Sequence, residues 1–415
     1  MYNAVCLIAS VAQGKGASAY LVGGFVRDLI MGKKNLDVDI MIEGNALELI
    51  SELKRRLQAS SRIYQRFGTA TITLPEGFKI DLASARKEYY AHPAALPQIF
   101  LSTIEDDLGR RDFTINTMAI KLQKEHFGTL LDAFGGLADL VNGKIRVLHQ
   151  NSFIDDPTRI LRAIRFAVRF NFSLDKNTER LLKEAIKKKM LQRLSAFRLG
   201  GELIWLLKED QPLKYLLELS RFRGLSCIHR QLRLIPASHH FFTTAGEVLS
   251  WFKKVRPQLY FEQWLVYFML LTQALSLAQL KTLCQSFSFT KGQTEKIISF
   301  KANASNIFSI LAKKSQLSRS TIYSILRHFS YEELITFLAL CKDKVRARRI
   351  RLYITTLSMV QLCVSGKYLQ KLSLVPGPEY ARILEKTLLA KIDCKIRTKA
   401  QELVFVKQCI QQPKQ

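Results

Sequence analysis

Residues 20–44, YLVGGFVRDLIMGKKNLDVDIMIEG, decide how the amino-terminal region folds. An apolar run, YLV, ends at Gly23 and Gly24. FVRDLIMG follows with helical character, and LDVDIMIEG returns as an apolar run broken by Asp37 and Asp39. In a strand, residues two apart share a face, so both aspartates project together while Val38 and Ile40 point into a core. Side-by-side carboxylates repel, and burying them unpaired is costly. A divalent cation removes both penalties. Mg²⁺ takes oxygen ligands, one or two carboxylates plus substrate phosphates. Two such ions can activate an attacking hydroxyl and stabilise a departing phosphate oxygen. A solvated strand end is the plain alternative for an isolated Asp-x-Asp. Here a strand, a Gly-Gly turn and a helix N-terminus also make a place where backbone N–H groups can face phosphate. Arg27 stands one turn into that helix.

The texture changes near residue 150. Before it, AYLVGG, LDVDIMIEG, TATITL, FKIDLAS and KIRVLH read as strands, and NALELISELKRRL reads as a helix. After it, long Leu-, Ile-, Lys- and Arg-rich segments carry helical spacing. The fold class is α+β: a mixed α/β head over 1–150, followed by helices only. The 415 residues carry a net charge of +28, which favours a polyanionic partner. The opening MYNAVCLIASVAQGKG makes a poor signal peptide because nothing basic precedes its apolar stretch. WLVYFMLLTQALSLAQL (264–280) is short for a membrane span and reads as a core helix. Seven scattered cysteines without CxxC spacing argue against disulfide or metal frameworks and for a reducing, cytoplasmic setting. The terminal QQPKQ reads as frayed.

Further motifs carry chemistry. RRDFTIN places Arg110 and Arg111 beside Asp112; by chemistry alone the arginines are a solvated or salt-bridged surface feature. In DDPTRILRAIRFAVRF (155–170), Pro157 suits the first helical position and Asp156 the N-cap. At roughly 100° per residue, Arg159, Arg162, Arg165 and Arg169 share about one third of the circumference. Ile160, Leu161, Ile164, Ala167 and Val168 lie opposite. Asp81, in KIDLAS, sits on a later strand and reads as either structural or a third acid. ARKEYYAHPAALPQIF (85–100) is punctuated by Pro93 and Pro97, which argues against a helix. KDKVRARRIRLY (342–353) clusters Lys344, Arg346, Arg348, Arg349 and Arg351. A solvated helix face is the default for such a run. With the overall charge, it also fits a polyanionic partner, either nucleic acid or an acidic membrane surface.

LVGGFVRD followed by LDVDI resembles the signature of bacterial tRNA nucleotidyltransferases and poly(A) polymerases, the class II branch of the polymerase-β-like nucleotidyltransferase superfamily. The resemblance continues through RFGTATITL, KIDLASARKEYY, RRDFTINTMAI, DAFGGLADLVNGKIRVLH and DDPTRILRAIRFAVRF. It is dense over roughly residues 18–205, and GPEYARILEKTLLAKIDCKIRTKAQELVFV is similar to the family's C-terminal segment. It implies a catalytic head (1–150), a helical neck (151–215), and a helical body and tail that bind RNA (216–415). Asp37 and Asp39 would hold Mg²⁺, in a two-metal mechanism, and carry catalysis. Gly24, Arg27 and Arg111 would bind the nucleotide, with Arg162 and Arg165 also in contact. The superfamily often adds a third carboxylate from a later strand, for which Asp81 is the candidate. In relatives the segment around Pro93 is a mobile loop that influences the switch from C to A addition.

Asp156 and Arg159 match the pair with which the family reads the incoming base without a template; Asp155 stands where many relatives have Glu. A carboxylate only accepts hydrogen bonds and a guanidinium only donates. Cytosine and adenine offer an amino donor beside a ring-nitrogen acceptor, whereas uracil and guanine reverse that polarity. The implied activity is addition of C and/or A to the tRNA 3′ end from CTP and ATP, with release of pyrophosphate. The implied partners are tRNA, recognised by the shape of its folded top half, and the two nucleotides, with neither a membrane nor a protein partner. No His-Asp dipeptide points to an appended phosphohydrolase domain. The competing readings are a poly(A) polymerase, which shares these motifs, and a catalytically silent RNA-binding protein on the same fold.

Overall fold

The alternation around Asp39 folds as a strand, and its neighbours build a mixed sheet around it. The computed structural model describes residues 1–89, 91–94, 98–312 and 317–411. Two compact units form. One comprises Met1–Leu206 with Lys214–Arg230, the other Leu207–Leu213 with Gln231–Gln415. The fold is α+β, a sheet-bearing head ahead of helical regions.

The head contains β1 (Ser18–Val22), β2 (Val38–Glu43), β3 (Ser60–Tyr64), β4 (Thr69–Thr73), β5 (Lys79–Ser84), β6 (Arg86–Tyr89), β7 (Gln98–Leu101), β8 (Ala119–Lys121) and β9 (Leu130–Leu131). The main sheet runs β3-β4-β5-β2-β1-β8-β9. Only β2 and β5 pair in parallel; the other ladders are antiparallel. Leu21, Ile40, Leu82 and Ala70 follow one another across β1, β2, β5 and β4 and are all buried. Helix Tyr2–Gly14 packs on β1, and helix Ile50–Leu57, within the predicted NALELISELKRRL, packs on helix Tyr2–Gly14. Each fully buried side chain of this size contributes about 1.5–3 kcal/mol. The opposite face carries Asp39, Asp81 and Thr71.

The strand reading changes in places. KIRVLH supplies only β10 (Lys144–Ile145), paired with β11 (Ser173–Leu174). The ladder stops because Arg146 turns away to Asp139 and Asp175. ARKEYYAHPAALPQIF is not helical among its described residues, as Pro93 requires, and its two ends pair as the ribbon β6–β7; Pro97 lies outside the described residues. The edge strand β3 and the short β8 and β9 are not apparent from alternation.

The second unit is helical among its described residues. The stretch 264–280 is not one core helix: helix Gln263–Leu271 buries every side chain from Trp264 to Leu271, and after a turn Ser276 caps a second helix, Leu277–Ser286. No helix among the described residues is long and apolar enough to cross a membrane. All seven cysteines are free. The run KDKVRARRIRLY forms helix Lys344–Thr355, capped by Asp343. Its basic face is only partly solvated. Lys344 and Arg348 are exposed, Arg349 donates to the Leu311 carbonyl at 2.8 Å, and Arg351 stacks on Trp251 at 4.3 Å. Apart from Gln411, QQPKQ lies outside the described residues.

Candidate active site

The turn after β1 sets the geometry. Gly23 has φ +69°, and a Cβ there would stand 2.6 Å from Nη1 of Arg111. The positive φ favours glycine, and a side chain there would also push the Arg111 guanidinium aside. Gly24 then opens helix Gly24–Ile30. Beside it on β2 stands Asp39, in register with Asp81 of β5. Asp37 falls one residue before β2 rather than within it, as the strand reading had placed it. Its amide donates instead to the Asn35 side chain at 2.9 Å, which bends the chain out of the ladder. Asp37 is exposed and Asp39 half-buried. Burial, the Asp37 charge and Asp81 push the Asp39 carboxyl up to about 6, against the pull of Arg111.

A half-buried carboxylate beside two others, only partly offset by Arg111, is the observation that fits a cation. Among the described residues, no group of three or more His, Cys, Asp or Glu side chains converges as a ready-made metal cage. Two carboxylates completed by substrate phosphates are the usual donor set of Mg²⁺, which rarely uses an all-protein cage. The residues present therefore fit that ion.

RRDFTIN divides its work. Arg110 bonds Asp107, Glu88 and the Arg86 carbonyl, so it ties the β6 ribbon to helix Ile104–Gly109. Arg111 is held by Asp107 at 3.0 Å and leans over Gly23. Asp112 receives Arg162 at 2.7 Å and the Asn116 amide at 2.9 Å. Burial alone would raise its carboxyl, yet Arg162 and Asn116 hold it below the usual range. Arg27 is only 5% exposed. Its guanidinium bonds Asp28 and the Asn116 side-chain oxygen (2.6 Å) and stacks on Phe170 at 4.6 Å.

The arginine stripe of helix Thr158–Phe170 is solvated only toward its end: Arg169 is exposed, Arg162 partly buried and the other two buried. Arg159 is 5% and Arg165 8% exposed. Pro157 adopts helical angles just ahead of the helix, and Asp156 caps it through Oδ1, which accepts from the Thr158 amide (3.1 Å) and hydroxyl (2.7 Å). The same oxygen receives Arg198 at 2.8 Å. Arg159 donates to Ser152 Oγ and to the Arg110 carbonyl, both at 2.6 Å. Arg165 and Arg162 approach Glu202 at 3.6 and 3.9 Å.

One cavity of about 1010 Å³ gathers Gly24, Arg27, Asp37, Asp39, Arg111, Asp156, Arg159, Arg162 and Arg165, together with Asp81. Sequence reading missed Arg198, Asn116 and Thr71 on its wall, and Asp112 as the partner of Arg162. The available signal for the first was Arg198 and Glu202, one turn apart on helix Ala196–Lys208.

A family model described as the Poly A polymerase head domain matches residues 19–146. An A-adding tRNA nucleotidyltransferase of Geobacter sulfurreducens is 37% identical over 388 residues, 92% of this chain and 44% of that protein. The chain thus spans less than half the length of that relative. An A-adding tRNA nucleotidyltransferase of Halalkalibacterium halodurans is 31% identical over 402 residues, 94% of this chain and 88% of that protein. The chain belongs to the tRNA nucleotidyltransferase and poly(A) polymerase family. A CC-adding member from Deinococcus radiodurans is 38% identical over 156 residues, 38% of this chain and 42% of that protein. Among solved structures, a CCA-adding enzyme in apo form II superposes with a TM-score of 0.78 at 34% identity, covering 98% of this chain and 95% of that chain. The Thermotoga maritima CCA-adding enzyme complexed with tRNA gives 0.73 at 32% identity, covering 99% and 95%.

Proposed function

We propose that this chain is a cytoplasmic tRNA nucleotidyltransferase that adds C and/or A to the tRNA 3′ end from CTP and ATP without a template. The observation that carries the reading is the single cavity in which Asp37 and Asp39, the Gly23–Gly24 turn and the Asp156/Arg159 wall converge. Residues 1–150 form the catalytic head, 151–215 the neck, and 216–415 the body and tail that bind RNA.

In the proposed reaction the RNA 3′-oxygen forms a bond to the α-phosphorus. The bond between the α- and β-phosphates breaks, and pyrophosphate leaves. The hydroxyl proton passes to the carboxylate cluster, where Thr71 already orients Asp81 through a 2.6 Å hydrogen bond. Mg²⁺ held by Asp37 and Asp39 would draw charge from the reacting phosphate. The Gly23–Gly24 turn lets backbone approach the triphosphate, and Arg111 offers it a planar fork. Arg27, tied to Asp28 and Asn116, supports the same corner from beneath.

Base choice falls to the neck. Among the described residues Thr158 and Arg198 both bond Oδ1 of Asp156, which leaves Oδ2 to accept a base amino group. Arg159 spends two of its five N–H donors on Ser152 and Arg110 and keeps others for a ring nitrogen. Arg162 and Arg165 add positive charge along the same wall.

Extent of similarity favours A addition or complete CCA addition over CC addition alone: A-adding relatives align over 92% and 94% of this chain and solved CCA-adding enzymes over 98% and 99%, against 38% for a CC-adding relative. The deciding experiment supplies CTP or ATP singly to tRNA ending before CCA, tRNA ending in CC, and generic RNA. A single A on the CC-ended tRNA supports A addition. Long A tails on generic RNA without CTP use would replace the reading with a poly(A) polymerase. No incorporation on any RNA would leave a silent RNA-binding protein.

A further inference from the structure

The sheet lines up four polar residues that the nucleotide site does not exhaust. Arg62 of β3 pairs in register with Thr71 of β4. Thr71 pairs with Asp81 of β5, and Asp81 with Asp39 of β2. Residues directly opposite on neighbouring strands share a face. The four therefore form one row running from the metal-binding aspartate out to the sheet edge. With strands about 4.8 Å apart, the row spans about 14 Å. Thr71 donates to Asp81 at 2.6 Å. One step along the same face, Tyr64 lies opposite Thr69 and lines the cavity. The Arg62 guanidinium sits 5.3 Å from the centre of the Tyr64 ring. Arg62 and Tyr64 are both exposed.

Sheet order gives this row its direction. β2 lies between β5 and β1. The Gly23–Gly24 turn, Arg111 and the neck arginines gather on the β1 side, where Arg111 covers Gly23 and Arg27 meets Phe166 and Phe170. Phosphoryl transfer places the attacking and leaving oxygens roughly in line. If pyrophosphate leaves on the β1 side, the nucleophile must arrive from the β5 side, along the row.

We propose that Arg62 and Tyr64 bind the single-stranded 3′ end of the RNA primer and deliver its terminal hydroxyl past Thr71 to Asp81 and Asp39. Arg62 takes a backbone phosphate, and Tyr64 stacks a base near the terminus. An exposed aromatic carrying a stacked arginine is the pairing that single-stranded nucleic acid uses without sequence preference. The site continues directly into the catalytic cavity, and its charge complements the primer. The inference rests on the proposed nucleotidyltransferase reading and adds where the primer lies.

The test separates RNA from nucleotide. Arg62→Ala, Arg62→Lys and Tyr64→Ala are assayed with tRNA ending in CC and ATP, or with whichever tRNA and nucleotide the wild type uses. KM for tRNA rises about tenfold in each alanine variant, in the range that loss of one stacked base produces. KM for the nucleotide stays within about twofold. Arg62→Lys recovers most of the loss. Arg62→Ala also lowers the salt dependence of tRNA binding by about 0.7 in log–log slope, one phosphate contact on a single strand. Thermal melting of each variant matches wild type, since both side chains are exposed. An active wild type whose alanine variants keep the same KM for tRNA overturns the primer track and leaves the function standing. An equal rise in KM for the nucleotide also overturns it, by placing the residues in the nucleotide pocket. A wild type inactive on every RNA removes the function and the track together.

Discussion

Asp112 in the head and Glu332 in the helical unit are both buried carboxylates facing a cation. Asp112 meets Arg162, which also lines the candidate site's cavity. Glu332 meets Lys296 at 2.8 Å and the Glu262 amide at 3.0 Å, where it joins three helical segments of its own unit. On the same cavity stands Asp39, which burial and the neighbouring Asp37 and Asp81 hold up at about 6. The difference teaches how to sort buried charge. Where opposite charges close on one another, the carboxylate serves the fold. Where a half-buried carboxylate faces a cavity beside other carboxylates, burial and like charge raise it together, and a bound cation would relieve both.

The comparison breaks first at the aspartates. Asp39→Asn and Asp37→Asn should each lower nucleotide incorporation by about 10³-fold or more, because the metal-binding charge is lost. Asp39→Asn should at the same time leave the fold intact or stabilise it by about 1 kcal/mol, since it removes repulsion. Single-turnover assays and thermal melts measure the two quantities. A melt several degrees lower would show that Asp39 belongs to the structural class with Asp112.

Neck variants come next. Asp156→Ala and Arg159→Ala should each reduce kcat/KM for the correct nucleotide by about 10–100-fold and narrow its preference over UTP and GTP, because each removes one half of a complementary hydrogen-bonding edge. Competition between nucleotides reads this directly. A uniform loss without change in preference would reduce the pair to a support for helix Thr158–Phe170.

Glu332→Gln sharpens the other side. It should cost about 1–3 kcal/mol of stability and leave kcat/KM per folded molecule within about twofold. Its pH dependence has a fixed sign. Burial would raise the Glu332 carboxyl, but Lys296 and the Glu262 amide hold it below its ordinary 4.5. The stabilisation is therefore present above the unfolded value and fades as pH falls through the folded one. Wild type and Glu332→Gln should melt further apart at pH 7 than at pH 4. A gap that widens toward pH 4 would contradict the assigned partners.

Much of the catalytic side was legible because its signals are local. Gly23, Gly24, Asp37 and Asp39 fall within one strand–turn–helix–strand unit, and Asp156 and Arg159 within one helix start. Period and turn chemistry report such groupings directly. The partners were not legible. Arg198 reaches Asp156 across 42 residues, and Asn116 reaches Arg27 across 89. No sequence period links them. The row from Arg62 to Asp39 depends on register across four strands, and β3 itself shows no alternation because its residues are mostly exposed. Asp37 shows the opposite limit: a period-two rule extended one residue past the point where Asn35 turns the chain.

The smallest effect divides the basic helix Lys344–Thr355. Its five cations looked equivalent in sequence, and packing has made them unequal. Arg348 is exposed, so Arg348→Ala should leave the melting temperature unchanged and lower the salt dependence of tRNA binding by about 0.9 in log–log slope if it meets one phosphate of duplex RNA. Arg349 bonds the Leu311 carbonyl, so Arg349→Ala should destabilise the helical unit by about 0.5–1.5 kcal/mol and change the salt slope less. Titrations of tRNA at two or more salt concentrations, paired with melts, distinguish the two residues. If both variants shifted the slope equally and neither shifted the melt, the Leu311 bond would carry no weight and the whole run would act as one solvated RNA-facing surface.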